Sequence, residues 1–105
     1  MNNLDQTFLE KVNEISKENI VITYNDKLCL YGLYQQAIIG DINIRKPSWV
    51  RPDKQSEWYA WDENKTMTQN DAKNQYISAV NKIIENQEVN RVISDLRGMF
   101  NIKIY

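Results

Sequence analysis

The residues best equipped for chemistry lie in Leu30-Tyr31-Gly32-Leu33-Tyr34-Gln35-Gln36-Ala37, where two phenols stand three positions apart. On a helix that spacing places both on one face. Neighbouring phenols can hold a planar ring and donate hydrogen bonds. The same spacing also suits two core aromatics, and this segment alone leaves both readings open. Acid–base and nucleophilic chemistry is poorly served, because the chain has no histidine and a single cysteine, Cys29. That removes the commonest general base and metal ligand, and with them Ser/His/Asp, Cys/His and most zinc sites. Carboxylates such as Asp53 and Glu57 remain, but nothing pairs with them as nucleophile, metal or cofactor. Binding without catalysis is expected, with no cofactor.

The chain has 105 residues, 42% of them hydrophobic, which is enough for one core. Its net charge is −1, with basic residues dispersed, so nucleic acid is not expected as a partner. No apolar run reaches the roughly 20 residues of a membrane span, and Met1-Asn2-Asn3-Leu4-Asp5 has no signal-peptide character. Neither end carries a lipidation motif. A lone cysteine in an apolar stretch excludes an internal disulfide framework and reads as a packed thiol in a reducing compartment. The expectation is a cytoplasmic protein without integral membrane association.

Four helices must position the candidate residues. Leu4, Phe8, Val12 and Ile15 recur at helical spacing. Residues 19–23, with the β-branched run Ile20-Val21-Ile22-Thr23, read as a loop, since no partner strand follows. Asn25 is placed to cap a second helix that Gly40 ends. Residues 41–52 form a loop with Pro47, Trp49, Arg45, Lys46 and Arg51. Pro52 opens a third helix, carrying Trp58 and Trp61, to about residue 64. Thr68-Gln69-Asn70-Asp71 approximates a capping box for a fourth, to about residue 86. Val89, Val92, Ile93, Leu96, Met99 and Phe100 keep a helical period in the tail, with Gly98 placed to break it.

The series Leu30-Tyr31-Gly32-Leu33-Tyr34-Gln35-Gln36-Ala37-Ile38-Ile39-Gly40-Asp41-Ile42-Asn43, Lys46-Pro47, Trp58-Tyr59-Ala60-Trp61, Asp71-Ala72 and Tyr76-Ile77 closely resembles the acyl-CoA-binding protein family. The match runs without a gap from about residue 8 to 84. The resemblance implies an all-α, four-helix up-down-down-up bundle with a C-terminal helical extension. It also implies an intracellular carrier or buffer for long-chain fatty acyl-CoA, with the nucleotide head in a bowl and the acyl chain against the protein. By the same resemblance Tyr31, Tyr34, Gln35, Glu57 and Tyr76 meet the adenosine-3′-phosphate end, Ser16 and Asp53 approach the ligand, and Leu28 and Phe8 belong to the site. Stacking on an aromatic ring contributes roughly 1–3 kcal/mol, and each buried CH₂ about 0.8 kcal/mol. Trp61 is expected in the core, while both packing and a site role stay open for Trp58.

The family presents lysines where this chain has Ser16, Gln35, Asp53 and Glu57. Gln35 can still donate a hydrogen bond, but Asp53 and Glu57 oppose a dianionic phosphate. Losing four charged contacts is expected to cost about 3–5 kcal/mol, or roughly two to four decades of affinity. Lys17, Lys54 and Arg51 are the candidate replacements, each also readable as a solvated surface charge.

Two regions are expected, an acyl-CoA-binding domain over residues 1–87 with net charge −2 and an amphipathic extension over 88–105 with net charge +1. The extension has two open readings: a fifth helix packed back on the bundle, or a segment that docks a protein partner or dimerises. The alternative to an acyl-CoA carrier is accordingly an interaction module that keeps the fold and has lost the ligand.

Overall fold

The computed structural model describes residues 3–17 and 19–104. Four helices form: α1 (Asn3–Ile15), α2 (Tyr24–Ile38), α3 (Pro52–Asp62) and α4 (Gln69–Ile104). They make the expected all-α up-down-down-up bundle. The start of α1 meets the start of α4, where Lys73 Nζ lies 2.6 Å from Asp5 Oδ1. Just past α1, Val21 N donates to Gln87 Oε1 and its carbonyl accepts from Gln87 Nε2. Those two ties make α1 and α4 parallel. α2 runs the other way along α4, since Gln69 at the start of α4 reaches the Ala37 and Ile38 carbonyls at the end of α2, and α3 packs on α2.

Local chemistry sets the boundaries. Thr23, not Asn25, caps α2: its Oγ1 accepts from Asp26 N at 3.1 Å. A β-branched hydroxyl closing the extended segment serves as cap there. At the other end Gly40 takes a φ of +99°, the left-handed geometry that ends helices. Pro52 starts α3 at the position where its missing N–H costs nothing. The helix stops at Asp62, two residues short of the expected end. Thr68 Oγ1 accepts from Asp71 N, as the capping pattern predicts.

The core joins Phe8 and Ile15 of α1, Leu30, Leu33 and Ala37 of α2, and Ala72, Tyr76, Val80 and Ile83 of α4. Gly32 sets the α2–α3 approach, since a Cβ there would stand 2.1 Å from the Ala60 carbonyl oxygen. A second joint closes the C-terminal end of α2. Trp61 Nε1 donates to Gly40 O at 2.8 Å, and Gln69 Nε2 donates to the carbonyls of Ala37 and Ile38. Fully buried Gln36 donates to Asp41 Oδ1 and Met67 O, and Thr66 N donates to the same Asp41 oxygen. Much of the Gln-Ala-x-x-Gly-Asp motif is therefore framework.

The tail corrects the expectation of a break at Gly98. α4 has 36 residues and runs through residues 87 and 98 without interruption, so the extension continues α4 and is not a separate fifth helix folded back. At 1.5 Å per residue it is about 54 Å long, in a molecule 59 Å along its longest axis. One interior glycine costs only about 1 kcal/mol of helix propensity. Residues 88–98 are all exposed. Counting about 100° per residue from Val80, the stripe Val89, Val92, Ile93 and Leu96 is turned by about 130° from the face carrying Ala72, Tyr76 and Ile83. The apolar side of α4 thus changes over where the bundle ends.

Candidate functional site

Three helices bring one ring each to a common point. Phe8 of α1 stacks with Tyr34 of α2, centroids 6.0 Å apart and planes at 22°. Phe8 meets Tyr76 of α4 edge-on at 5.1 Å, and Tyr34 and Tyr76 lie 6.4 Å apart. Such offset and edge-to-face geometries suit the ring quadrupoles. Phe8 and Tyr76 are buried, at 1% and 4% exposure, whereas Tyr34 is 37% exposed and presents the one solvent-facing ring of the three. Burial, and secondarily the neighbouring Tyr34, pushes the Tyr76 phenol above its ordinary range, so it stays a neutral hydroxyl.

α2 divides its residues between two duties. Leu30, Leu33, Gln36 and Ala37 turn inward, while Leu28, Tyr31 and Gln35 are half-buried beside Tyr34. Leu28, Tyr31 and Gln35 follow one another at three- and four-residue steps and share a face. Phe8, Val12 and Ser16 form a similar row at four-residue steps, with Ser16 just past the end of α1. The exposed Ser16 hydroxyl donates to Val12 O at 2.8 Å.

Asp53 and Glu57 lie one turn apart on α3, the first exposed and the second half-buried. Of the three candidate replacement cations, Lys54 faces a carboxylate: its ammonium lies 3.5 Å from Glu57 Oε2. Arg51 is exposed at the N-terminal edge of α3. Lys17 is exposed beyond α1, lining a cleft with Glu14, Glu88 and Arg91. The structure therefore joins Phe8, Tyr34 and Tyr76 directly, and distributes the altered charge positions over the end of α1, α2 and α3.

Two clefts of ≈ 430 Å³ each flank α2. One, toward α3, is lined by Leu28, Ser56, Tyr59 and Glu63, and the other, toward α4, by Asp26, Leu30, Ser78 and Lys82. Cys29 lines both and is exposed, which corrects the packed thiol expected from its apolar neighbours. It occupies the outer edge of α2, between the face buried in the core and solvent. Partial burial at the rim, then the carboxylates of Asp26 and Glu63, raises its thiol above the ordinary range, disfavouring the reactive thiolate. Trp61 is buried, as expected. Trp58, open in the sequence, donates from Nε1 to Ile44 O at 2.9 Å and holds the α2–α3 loop. Gly32 and the Gln36–Asp41 clamp carried no distinct sequence signal beyond lying inside the motif.

Among the described residues no helix is long and apolar enough to cross a membrane. The family model described as Acyl CoA binding protein matches residues 5–80. Acyl-CoA-binding protein homolog 3 of Caenorhabditis elegans is 35% identical over 73% of this chain and 67% of its own length. Acyl-CoA-binding protein 2 of Saccharomyces pastorianus is 33% identical over 77% of this chain and 93% of its own. The crystal structure of Oryza sativa Acyl-CoA-Binding Protein 2 superposes with a TM-score of 0.77 at 28% identity, covering 81% of this chain and 92% of that one.

Proposed function

The chain belongs to the acyl-CoA-binding protein family, and from that premise we propose that it carries or buffers long-chain acyl-CoA thioesters inside the cell, with altered recognition of the phosphates. The observation that carries this reading is the convergence of Phe8, Tyr34 and Tyr76 from three helices, with Tyr34 open to solvent and Tyr31, Gln35 and Leu28 beside it. An adenine ring stacked at Tyr34 would gain roughly 1–3 kcal/mol. Alteration at the phosphate end is supported by Ser16, Gln35, Asp53 and Glu57, none of which supplies a cation. Lys54 faces the Glu57 carboxylate, leaving Lys17 and Arg51 to attract phosphate oxygens at an exposed surface, where each contact contributes about 1 kcal/mol or less.

The deciding experiment is calorimetric titration of the purified chain with a long-chain acyl-CoA, alongside free CoA and free fatty acid. Submicromolar binding of the thioester alone supports a carrier whose remaining groups replace the family's lysines. Saturable micromolar binding supports a weakened site, and absence of binding refutes the carrier reading.

A second reading, an interaction module that keeps the fold without the ligand, is favoured by the exposed stripe on the extension. Val89, Val92, Ile93 and Leu96 are between 41% and 54% exposed. Division into residues 1–87 for the ligand and 88–105 for a protein partner or dimer belongs to this proposal. Self-association of the full chain that disappears on truncation after residue 87, together with a silent titration, would favour it.

A further inference from the structure

The α2–α3 loop carries a feature that the carrier reading leaves unexplained. Arg51 N donates to Ser48 O at 3.0 Å, closing a β-turn over residues 48–51 with Trp49 and Val50 at its two central positions. Turn tips ordinarily take glycine, proline, asparagine, aspartate or serine. Here the tip holds a tryptophan 81% exposed and a valine 62% exposed, with Ile44 nearby in the loop at 53%. The indole of Trp49 is the most exposed large hydrophobic side chain among the described residues. The turn is pinned from α3, where Trp58 Nε1 donates to Ile44 O and Gln55 Nε2 to Pro47 O, each at 2.9 Å. The two apolar side chains are therefore presented by a braced loop.

The charge around the tip has one sign. Residues 44–54 contain Arg45, Lys46, Arg51 and Lys54 against a single acid, Asp53, in a chain whose net charge is −1. Arg45, Lys46 and Arg51 are exposed, and the Lys46 ammonium lies 4.8 Å from the centre of the Tyr59 ring. Tyr59 in turn lines the cleft that Leu28 lines, so the loop borders that opening.

We propose that this turn docks the protein on an anionic lipid surface, with Trp49 and Val50 entering the interfacial layer and Arg45, Lys46 and Arg51 meeting the headgroups. An indole with one apolar face and one polar N–H suits the depth of the headgroups. Basic residues held near an anionic leaflet strengthen attachment by about five-fold each, and salt weakens that part. The inference goes beyond the carrier reading and needs no bound thioester.

The test uses the full chain, free of acyl-CoA, co-sedimented with vesicles of mixed phosphatidylcholine and phosphatidylserine and with vesicles of phosphatidylcholine alone. Binding to the mixed vesicles, reduced by salt and accompanied by a blue shift of tryptophan emission that Trp49→Phe removes, is the expected result. Trp49→Ala should weaken attachment by about ten-fold or more, and joint Arg45→Gln and Arg51→Gln by about 25-fold, with helical circular dichroism unchanged. Equal binding of wild type and Trp49→Ala, equal binding to both vesicle types, or none at all overturns the proposal; in the last case a protein becomes the better candidate for covering the tip. Vesicle binding by a chain that ignores acyl-CoA would defeat the carrier reading alone. Thioester binding without vesicle binding would defeat this one alone.

Discussion

The Lys54 ammonium lies 3.5 Å from the Glu57 carboxylate, one turn along α3. A candidate replacement cation thus faces the carboxylate of Glu57. Exposed pairs of this kind contribute little to stability, about 0–1 kcal/mol, so substitution here tests the proposed phosphate end without disturbing the fold. Glu57→Gln removes a negative charge and releases Lys54 together. Titration with a long-chain acyl-CoA is expected to show binding about two- to five-fold tighter, with a steeper salt dependence.

Tyr34→Ala should weaken thioester binding by roughly 1–3 kcal/mol, or five- to 150-fold, whereas Tyr34→Phe keeps the ring and most of the affinity. Because Tyr34 is partly solvent-exposed, both variants should retain the fold by circular dichroism. Equal affinity in Tyr34→Ala and wild type would remove this ring from the site.

Gly32→Ala places a methyl group against the Ala60 carbonyl oxygen, at 2.1 Å before relaxation. α3 must shift to accept it, at a cost of about 1–3 kcal/mol. Thermal unfolding should show a midpoint lowered by roughly 4–8 °C per kcal/mol.

Stability should fall at both pH extremes for identifiable reasons. The Tyr76 phenol is raised above its ordinary value of 10.0, so the unfolded chain ionises first. Its contribution is present below that pH and lost as pH rises through the folded value. Tyr76→Phe should flatten that alkaline loss. Asp41 is lowered, first by the Gln36 hydrogen bond, then by the Thr66 amide, against an opposing desolvation, with Lys65 the least of the causes. Its contribution is present above the ordinary carboxylate range and lost as pH falls through the folded value, and Asp41→Asn should flatten the acid side. Denaturant midpoints measured across pH check both.

Truncation after residue 87 removes only exposed side chains over 88–98 and keeps both Gln87 hydrogen bonds to Val21. The midpoint should move by no more than a few degrees. Gln87→Ala in the full chain should cost about 1–2 kcal/mol, as two hydrogen bonds are lost at an exposed joint.

The four helices were legible because each leaves an apolar residue every three or four positions, with Pro52 and Thr68 marking starts and Gly40 a stop. The motif likewise identified the family and the helical rows bearing Tyr31, Tyr34 and Gln35. It could not separate Tyr34 from Gln36, one at the surface and the other fully buried, since both lie in the same motif and their duties depend on where α1 and α4 pack. Thr23 outranked Asn25 as a cap because capping depends on where the extended backbone turns, and both residue types qualify.

The sequence by itself determined the helical class, the family and the absence of histidine chemistry, since these rest on residue type and local period. Tertiary structure alone decided which aromatics converge, that Cys29 lies at a rim, that Gly32 admits a neighbouring backbone, and that Trp49 tips a braced turn. It also decided that the apolar stripe of the extension turns away from the core face, because the phase between two apolar runs has meaning only once the helix is continuous through both. Each of these is a relation between segments distant in the chain, and local periodicity holds no record of such distances.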